Sequence, residues 1–218
     1  MVKDYGKRFF ICVLSLALFG FGNLLSVKAG AAGTNAWNTL SLGLSENFGI
    51  SFGNATLLIS GAIILIDLLG RGKLGFGTVL NVLLIPWFSD GFLALFRFVP
   101  EASGMVAGTV CTLLGQVVIS FATIFYMKPG LGCGPRDTLM ILIGQRFPKV
   151  PIGAVKLGME LGVLLVGALL GAPLGIGTVL ILMLQASIFQ MACRVTHYEP
   201  RSVTHESFVD TLQKIRGR

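Results

Sequence analysis

The sequence predicts an all-α polytopic membrane protein of six transmembrane helices, built as two inverted three-helix repeats, each with a Gly-rich break and a short helix. Of its 218 residues 54% are hydrophobic and 12% charged, against roughly 25% charged residues in water-soluble domains. A water-soluble fold of this length cannot bury so much apolar surface. Long apolar runs and a partial repeat at an offset of one hundred residues complete the prediction.

Residues 1–103 are expected to form the first membrane repeat. The uncharged run 9–27 has nineteen residues, about enough to cross a hydrocarbon core of roughly 30 Å. A cleaved signal peptide is the alternative, but the apolar cores of such peptides are typically about 7–15 residues long, and run 9–27 has a partner in the second half. Two further crossings are predicted at 50–70 and 74–98.

Residues 104–193 are expected to form the second repeat, and 194–218 a cytoplasmic tail. Crossings are predicted at 104–127, 152–170 and 174–192. A capping-box pattern in the tail predicts a short amphipathic helix lying on the membrane or on the protein's own loops, with a frayed polar tail as the alternative.

Two stretches interrupt the apolar runs, at 28–49 and at 128–150. Glycine permits positive φ, and proline removes a donor and blocks the preceding helical turn, so both break helices. The second break concentrates such residues: Gly130, Gly132, Gly134 and Pro135. Short polar helices are predicted from a cap at Thr34 or Asn35, and over 136–146. If these short helices also spanned, the chain would cross eight times and the repeats would be parallel.

The repeat is clearest where LGFGTVL at 74–80 recurs as LGIGTVL at 174–180, with six identities in seven. At the same offset Asp90 falls opposite Gln190, and Gly53 opposite Gly153. The glycines of the repeated motif are predicted as further backbone breaks: Gly75, Gly77, Gly175 and Gly177.

The distribution of Lys and Arg sets the expected orientation. With the N-terminus inside, most basic residues fall on the cytoplasmic side: Lys3, Lys7, Arg8, Arg71, Lys73, Lys128, Arg136, Arg146, Lys149 and Arg194. The opposite side keeps Lys28 and Arg97. Both termini are therefore predicted to be cytoplasmic. The net charge of +7 is explained by an anionic leaflet, without a nucleic-acid partner.

Ionisable residues at membrane depth are the candidate site, because such groups are costly and usually face the protein interior. Lys156 and Glu160 lie four residues apart, so they share a helix face and are expected to pair directly. The six candidate pathway or ion-pair residues are Arg136, Asp137, Lys156, Glu160, Asp67 and Asp90. The first four sum to zero charge.

Enzyme chemistry is not expected. The two histidines, His197 and His205, are both in the tail, so no intramembrane imidazole serves as a base or ligand. HExxH and GxSxG are absent, and the four cysteines lack CxxC spacing. No catalytic residue, metal or cofactor is predicted.

The most specific stretch is GCGPRDTLM at 132–140, followed by Lys156 with Glu160 and by GIGT at 175–178. This combination resembles the YczE/YyaS/YitT family of bacterial membrane proteins, over roughly 9–192. The resemblance implies a polytopic inner-membrane protein whose biochemical role is poorly defined.

Two positions depart from the family pattern. The family tends to have Arg where this chain has Lys156, and its first break often contains G-P-W-D where 35–38 is N-A-W-N. The missing acid at Asn38 weakens the case for a symmetric two-fold site.

Two classes of function remain open from the sequence. One is a small permease, with the four charges forming a gate or a binding site for an unknown small solute. A helix N-terminus beside Arg136 favours an anion there, although Asp137 itself offsets that field. The other is a membrane-embedded accessory protein that binds a protein partner. A homo-oligomer is compatible with both, and the lipid bilayer is a partner in either case.

Overall fold

The computed structural model describes residues 2–72, 74–150 and 152–198, together with Glu206. These residues form eight α-helices and one short 3₁₀ turn, Gly30–Ala32, and include no strand. The helices are α1 (Val2–Val27), α2 (Ala36–Phe48), α3 (Phe52–Leu69), α4 (Phe76–Leu95), α5 (Met105–Met127), α6 (Pro135–Arg146), α7 (Ile152–Leu169) and α8 (Ile176–Val195).

Five of the described helices are long and apolar enough to cross a membrane: α1, α3, α4, α5 and α8. Helix α7 has 18 residues, as many as α3, and carries Lys156 and Glu160 in an otherwise apolar sequence. Large apolar side chains remain exposed along these helices, among them Leu69 and Met183. The fold is therefore that of a multi-pass membrane protein, because a bilayer is the medium that accepts so many exposed apolar side chains.

The two short helices begin where the breaks predict. Asn35 caps α2, since its Oδ1 accepts a hydrogen bond of 2.9 Å from the Asn38 N–H, and Gly49 in the left-handed conformation ends the helix. Helix α6 has Pro135 in its first turn, where the missing N–H costs no hydrogen bond and φ is already suitable.

Helices α1 and α5 cross in opposite directions. Gly22 of α1 faces Ile119 of α5, whereas Ala29, two residues past the end of α1, faces Gly108. Residue numbers thus rise along α1 as they fall along α5. A side chain at Gly108 would overlap the carbonyl of Ala29, so glycine lets the two backbones approach.

Each Gly-rich break packs against the LGxGT motif of the other half. In the second break, Gly77 N–H donates to Leu131 O at 2.7 Å, and the Thr78 hydroxyl donates to Cys133 O at 2.6 Å. In the first break, a Cβ on Gly175 would lie 2.5 Å from the carbonyl oxygen of Ala31. The predicted glycine positions are therefore places of close backbone approach between the halves.

The described part of the tail returns to the start of the chain. Glu206 N–H donates to Gly130 O at 2.9 Å, and its carboxylate accepts a hydrogen bond from the Tyr5 hydroxyl at 3.1 Å and lies 3.6 Å from Arg8. Lys73 and the predicted tail helix, from residue 207 onward, lie outside the described residues.

Candidate ligand cavity

A cavity of about 600 Å³ lies between the helices, lined by residues of every described helix from α1 to α8. Four of the six predicted site residues line it: Arg136, Asp137, Lys156 and Glu160. Its wall also contains Gly134 and Pro135 of the second break. The tertiary structure thus brings charges from two helices, separated by a loop, to one space.

Arg136 lies in the first turn of α6, with its guanidinium stacked over Trp37 at 4.4 Å from the ring centroid. This distance is within the range of a cation–π contact. No hydrogen bond joins the guanidinium to a residue that the structure describes. Burial lowers the pKa of Arg136 to about 10, so the side chain still carries its charge at neutral pH.

Asp137 is held by Tyr126, whose hydroxyl donates to its Oδ2 at 3.3 Å. The same hydroxyl accepts a hydrogen bond of 3.1 Å from the Gly134 N–H. Asp137 lies in the first turn of α6, where the helix dipole favours a negative charge. Tyr126 therefore fixes the end of α5 to the start of α6.

Glu160 and Lys156 do not form the direct pair that their spacing predicts. The Glu160 carboxylate accepts a hydrogen bond from Gln185 Nε2 of α8, and the Lys156 ammonium lies 6.0 Å from the ring centroid of Phe189. A shared helix face makes a pair available, but here α8 supplies an amide donor and a ring face instead.

The other two predicted acids lie outside the cavity wall. Asp90 of α4 caps α3: its Oδ1 accepts a 2.6 Å hydrogen bond from Gly53 N–H, and Oδ2 accepts one from the Ser51 hydroxyl. Asp67, near the end of α3, is fully buried, and its oxygens have no hydrogen-bond partner among the described residues. Asp90 is thus a helix-capping residue, whereas nothing in the described contacts explains Asp67.

The sequence did not single out Trp37, Tyr126 and Gln185 as site residues. The sequence contained a signal for the first, because WNTL at 37–40 aligns with RDTL at 136–139, at an offset of 99 residues, and this alignment puts Trp37 opposite Arg136. For Tyr126 and Gln185 there was no local signal, since a lone tyrosine or glutamine in an apolar run has no specific spacing.

The helices and this charged cavity define the class, a multi-pass membrane protein with polar side chains gathered inside it. The Family of unknown function (DUF6198) matches residues 6–194, and the chain belongs to that family. The relatives described next confirm the resemblance to YczE and YyaS.

An uncharacterized protein of Haemophilus influenzae is 34% identical over 174 residues, which cover 80% of this chain and 78% of the relative. The uncharacterized membrane protein YczE of Bacillus subtilis is 31% identical over 194 residues, 88% of each chain. The uncharacterized protein YyaS of Bacillus subtilis is 24% identical over 172 residues, 77% of this chain and 83% of the relative. No solved structure matches the chain.

Proposed function

We propose that this protein is a small permease that binds an anionic organic solute, such as a carboxylate, in the central cavity. The observation that carries the proposal is Arg136, whose guanidinium faces the cavity without a hydrogen bond to the described residues. A guanidinium offers five donors that match the two oxygens of a carboxylate. An unbonded guanidinium at the wall of a cavity is therefore a recognition group awaiting an acceptor.

The different partners of the cations and the anions support the same choice of solute. Both cations contact ring faces, Arg136 with Trp37 and Lys156 with Phe189. Both carboxylates already accept hydrogen bonds from neutral groups of the protein. An incoming anion finds donors that are not engaged by hydrogen bonds, whereas an incoming cation would compete with Tyr126 for Asp137.

The proposed topology is six crossings in two inverted repeats, with α7 as the sixth crossing and α2 and α6 entering and leaving on one side. The antiparallel α1 and α5 support it, because they begin the two halves. The exchange of breaks between the halves supports a repeat as well, since a Cβ on Gly75 would lie 2.5 Å from Leu131 O and a Cβ on Gly175 would lie 2.5 Å from Ala31 O. In this proposal both termini are cytoplasmic and the membrane is a bacterial inner membrane. We propose no enzymatic activity for the protein.

The test uses Trp37 as a reporter inside the cavity. Trp87, the other tryptophan, is 69% exposed, so Trp87→Phe leaves Trp37 as the sole indole. We expect para-bromobenzoate to quench its emission saturably, and the neutral para-bromobenzyl alcohol to quench only in proportion to concentration. Arg136→Gln should abolish the saturable component. Arg146→Gln, at the exposed end of the same helix, should retain it.

Transport is measured as uptake of labelled benzoate into proteoliposomes. We expect uptake to exceed that of empty vesicles and to fall with Arg136→Gln but not with Arg146→Gln. Saturable quenching without uptake would contradict the permease and favour the accessory protein, with benzoate as a bound ligand only. Equal quenching by the acid and the alcohol would contradict an anion site altogether.

A further inference from the structure

The two halves differ at one pair of equivalent helices. Helix α3 packs against α4: a Cβ on Gly53 would overlap the Pro86 carbonyl and lie 2.6 Å from the Asp90 carboxyl carbon. Helices α7 and α8 have no comparable packing among the described residues. Gly153, at the position equivalent to Gly53, has no atom within 4 Å of its virtual Cβ. Gln190, equivalent to Asp90, is exposed.

Side chains, rather than packed backbone, connect α7 with α8. The Glu160–Gln185 hydrogen bond joins the two helices, and Lys156 lies beside Phe189. All four residues also line the central cavity. We define the α7–α8 seam by these four residues and Gly153. The seam therefore separates the charged cavity from the surface by side chains alone.

We propose that the α7–α8 seam is a lateral entrance, through which an anionic amphiphile passes from the bilayer into the cavity. This inference rests on the proposed function and names its substrate class: an acidic head group, carboxylate or phosphate, on an alkyl chain. The entrance opens to the leaflet on the side of the N-terminus. In the proposed topology α5 ends on that side and α6 returns the chain to it, so α7 begins there.

The charges along the route match such a head group. Lys156 is exposed and lies in the second turn of α7, at a depth from which its long side chain reaches the level of lipid phosphates. Arg136 lies in the cavity wall, with its guanidinium over the Trp37 ring. An anionic head group therefore meets a first cation at the seam and a second one in the cavity.

The surfaces beside the seam suit the alkyl chain. Helix α7 exposes Leu157 and Leu161, and α8 exposes Leu184. An alkyl chain that lies between these residues exchanges contacts with lipid for contacts with protein side chains of equal polarity. The ligand therefore needs no separate apolar pocket for its alkyl chain. Entry requires the Glu160–Gln185 hydrogen bond to open, since it crosses the seam.

The experiment uses the Trp87→Phe protein in phosphatidylcholine vesicles, with acyl-brominated phosphatidylglycerol as the probe. Acyl-brominated phosphatidylcholine at the same mole fraction is the control for quenching by the surrounding bilayer. We expect phosphatidylglycerol to quench Trp37 saturably and more strongly than phosphatidylcholine. Lys156→Met should reduce the difference between the two lipids.

Two glycines of α7 provide a matched pair of blocking variants. Gly153→Phe places a ring in the seam, whereas Gly158→Phe places it on lipid roughly 140° away around the helix. Neither glycine has an atom within 4 Å of its virtual Cβ, so both variants are expected to fold. Gly153→Phe should remove quenching by brominated phosphatidylglycerol, and Gly158→Phe should leave it unchanged.

Soluble para-bromobenzoate separates the two proposals. If para-bromobenzoate quenches saturably but the two brominated lipids quench alike, the anion site stands and lateral entry is overturned. Failure of both probes would overturn the anion site together with the entrance. Retained lipid quenching in Gly153→Phe would show that the lipid reaches Trp37 by another route, which also overturns the entrance.

Discussion

Gly53 and Gly153 are each the second residue of their helices, α3 and α7, and correspond to each other in the proposed repeat. Substituting each with alanine tests the asymmetry between the two helix pairs. Replacing glycine with alanine near a helix start changes the backbone contribution to the free energy of unfolding by the same small amount in both helices. This contribution therefore cancels when the two variants are compared. What differs is the surroundings. A Cβ at Gly53 overlaps the Pro86 carbonyl and lies 2.6 Å from the Asp90 carboxyl carbon, whereas at Gly153 it meets nothing within 4 Å.

The expected difference follows from the cost of overpacking. Forcing an extra methyl group against backbone typically costs about 1–3 kcal/mol. Displacing Asp90 would also weaken its 2.6 Å hydrogen bond to Gly53 N–H, and a hydrogen bond to a charged group contributes about 1.5–3 kcal/mol. We expect Gly53→Ala to be less stable than Gly153→Ala by at least about 1–3 kcal/mol, the packing contribution alone.

The assay is reversible unfolding in mixed micelles, followed by far-UV circular dichroism, with the free energies of unfolding compared between the two variants. Asp90→Ala in the Gly53→Ala background is the control, because it removes the Asp90 carboxyl group, one of the two groups that the new methyl meets; the other is the Pro86 carbonyl. Equal stability of the two glycine variants would refute the reasoning, since the α3–α4 and α7–α8 pairs would then be equally packed.

Three further predictions concern topology, the first break and the second break. A reporter fused after Lys149 should be cytoplasmic and one at Ala172 external; the same side for both would exclude α7 as a crossing. Asn23→Leu should destabilise the fold by about 1–3 kcal/mol in the same unfolding assay, because Asn38 loses its 3.2 Å hydrogen bond to the amide oxygen. Burial raises the pKa of the Cys133 thiol, so less of it is thiolate at neutral pH. Alkylation of Cys133 by N-ethylmaleimide, followed by mass spectrometry, should therefore be slower at neutral pH in folded than in denatured protein. Its rate should increase when the pH rises above the range in which an ordinary thiol ionises.

The contrary results for Asn23→Leu and for Cys133 alkylation would each contradict the packing of a break. Wild-type stability of Asn23→Leu would mean that water replaces the lost partner, against the burial of Asn38. Equal alkylation of Cys133 in folded and denatured protein would mean that the second break opens readily to water. The second of these results would require a looser second break than the hydrogen bonds at Thr78 and Gly77 indicate.

Local features of the sequence were sufficient for the class and for the positions of the helices. Composition alone requires a membrane, because the apolar surface exceeds what a soluble fold can bury. The breaks fall where glycine permits positive φ and, in the second break, where proline removes a backbone donor. Helix α2 begins after Asn35, one of the two predicted caps. These predictions succeeded because backbone conformation and transfer into lipid depend on residues that are close together in the chain.

The partners of the charged residues were decided only by the tertiary structure. Spacing suggested Lys156 for Glu160, but α8 brings Gln185 to the carboxylate. Asp90 caps a helix that begins 38 residues earlier in the chain. In a membrane every apolar helix face is equally soluble in lipid, so hydrophobicity does not select which helices meet. That choice depends on shape at small residues and on hydrogen bonds between distant segments, neither of which a linear pattern contains.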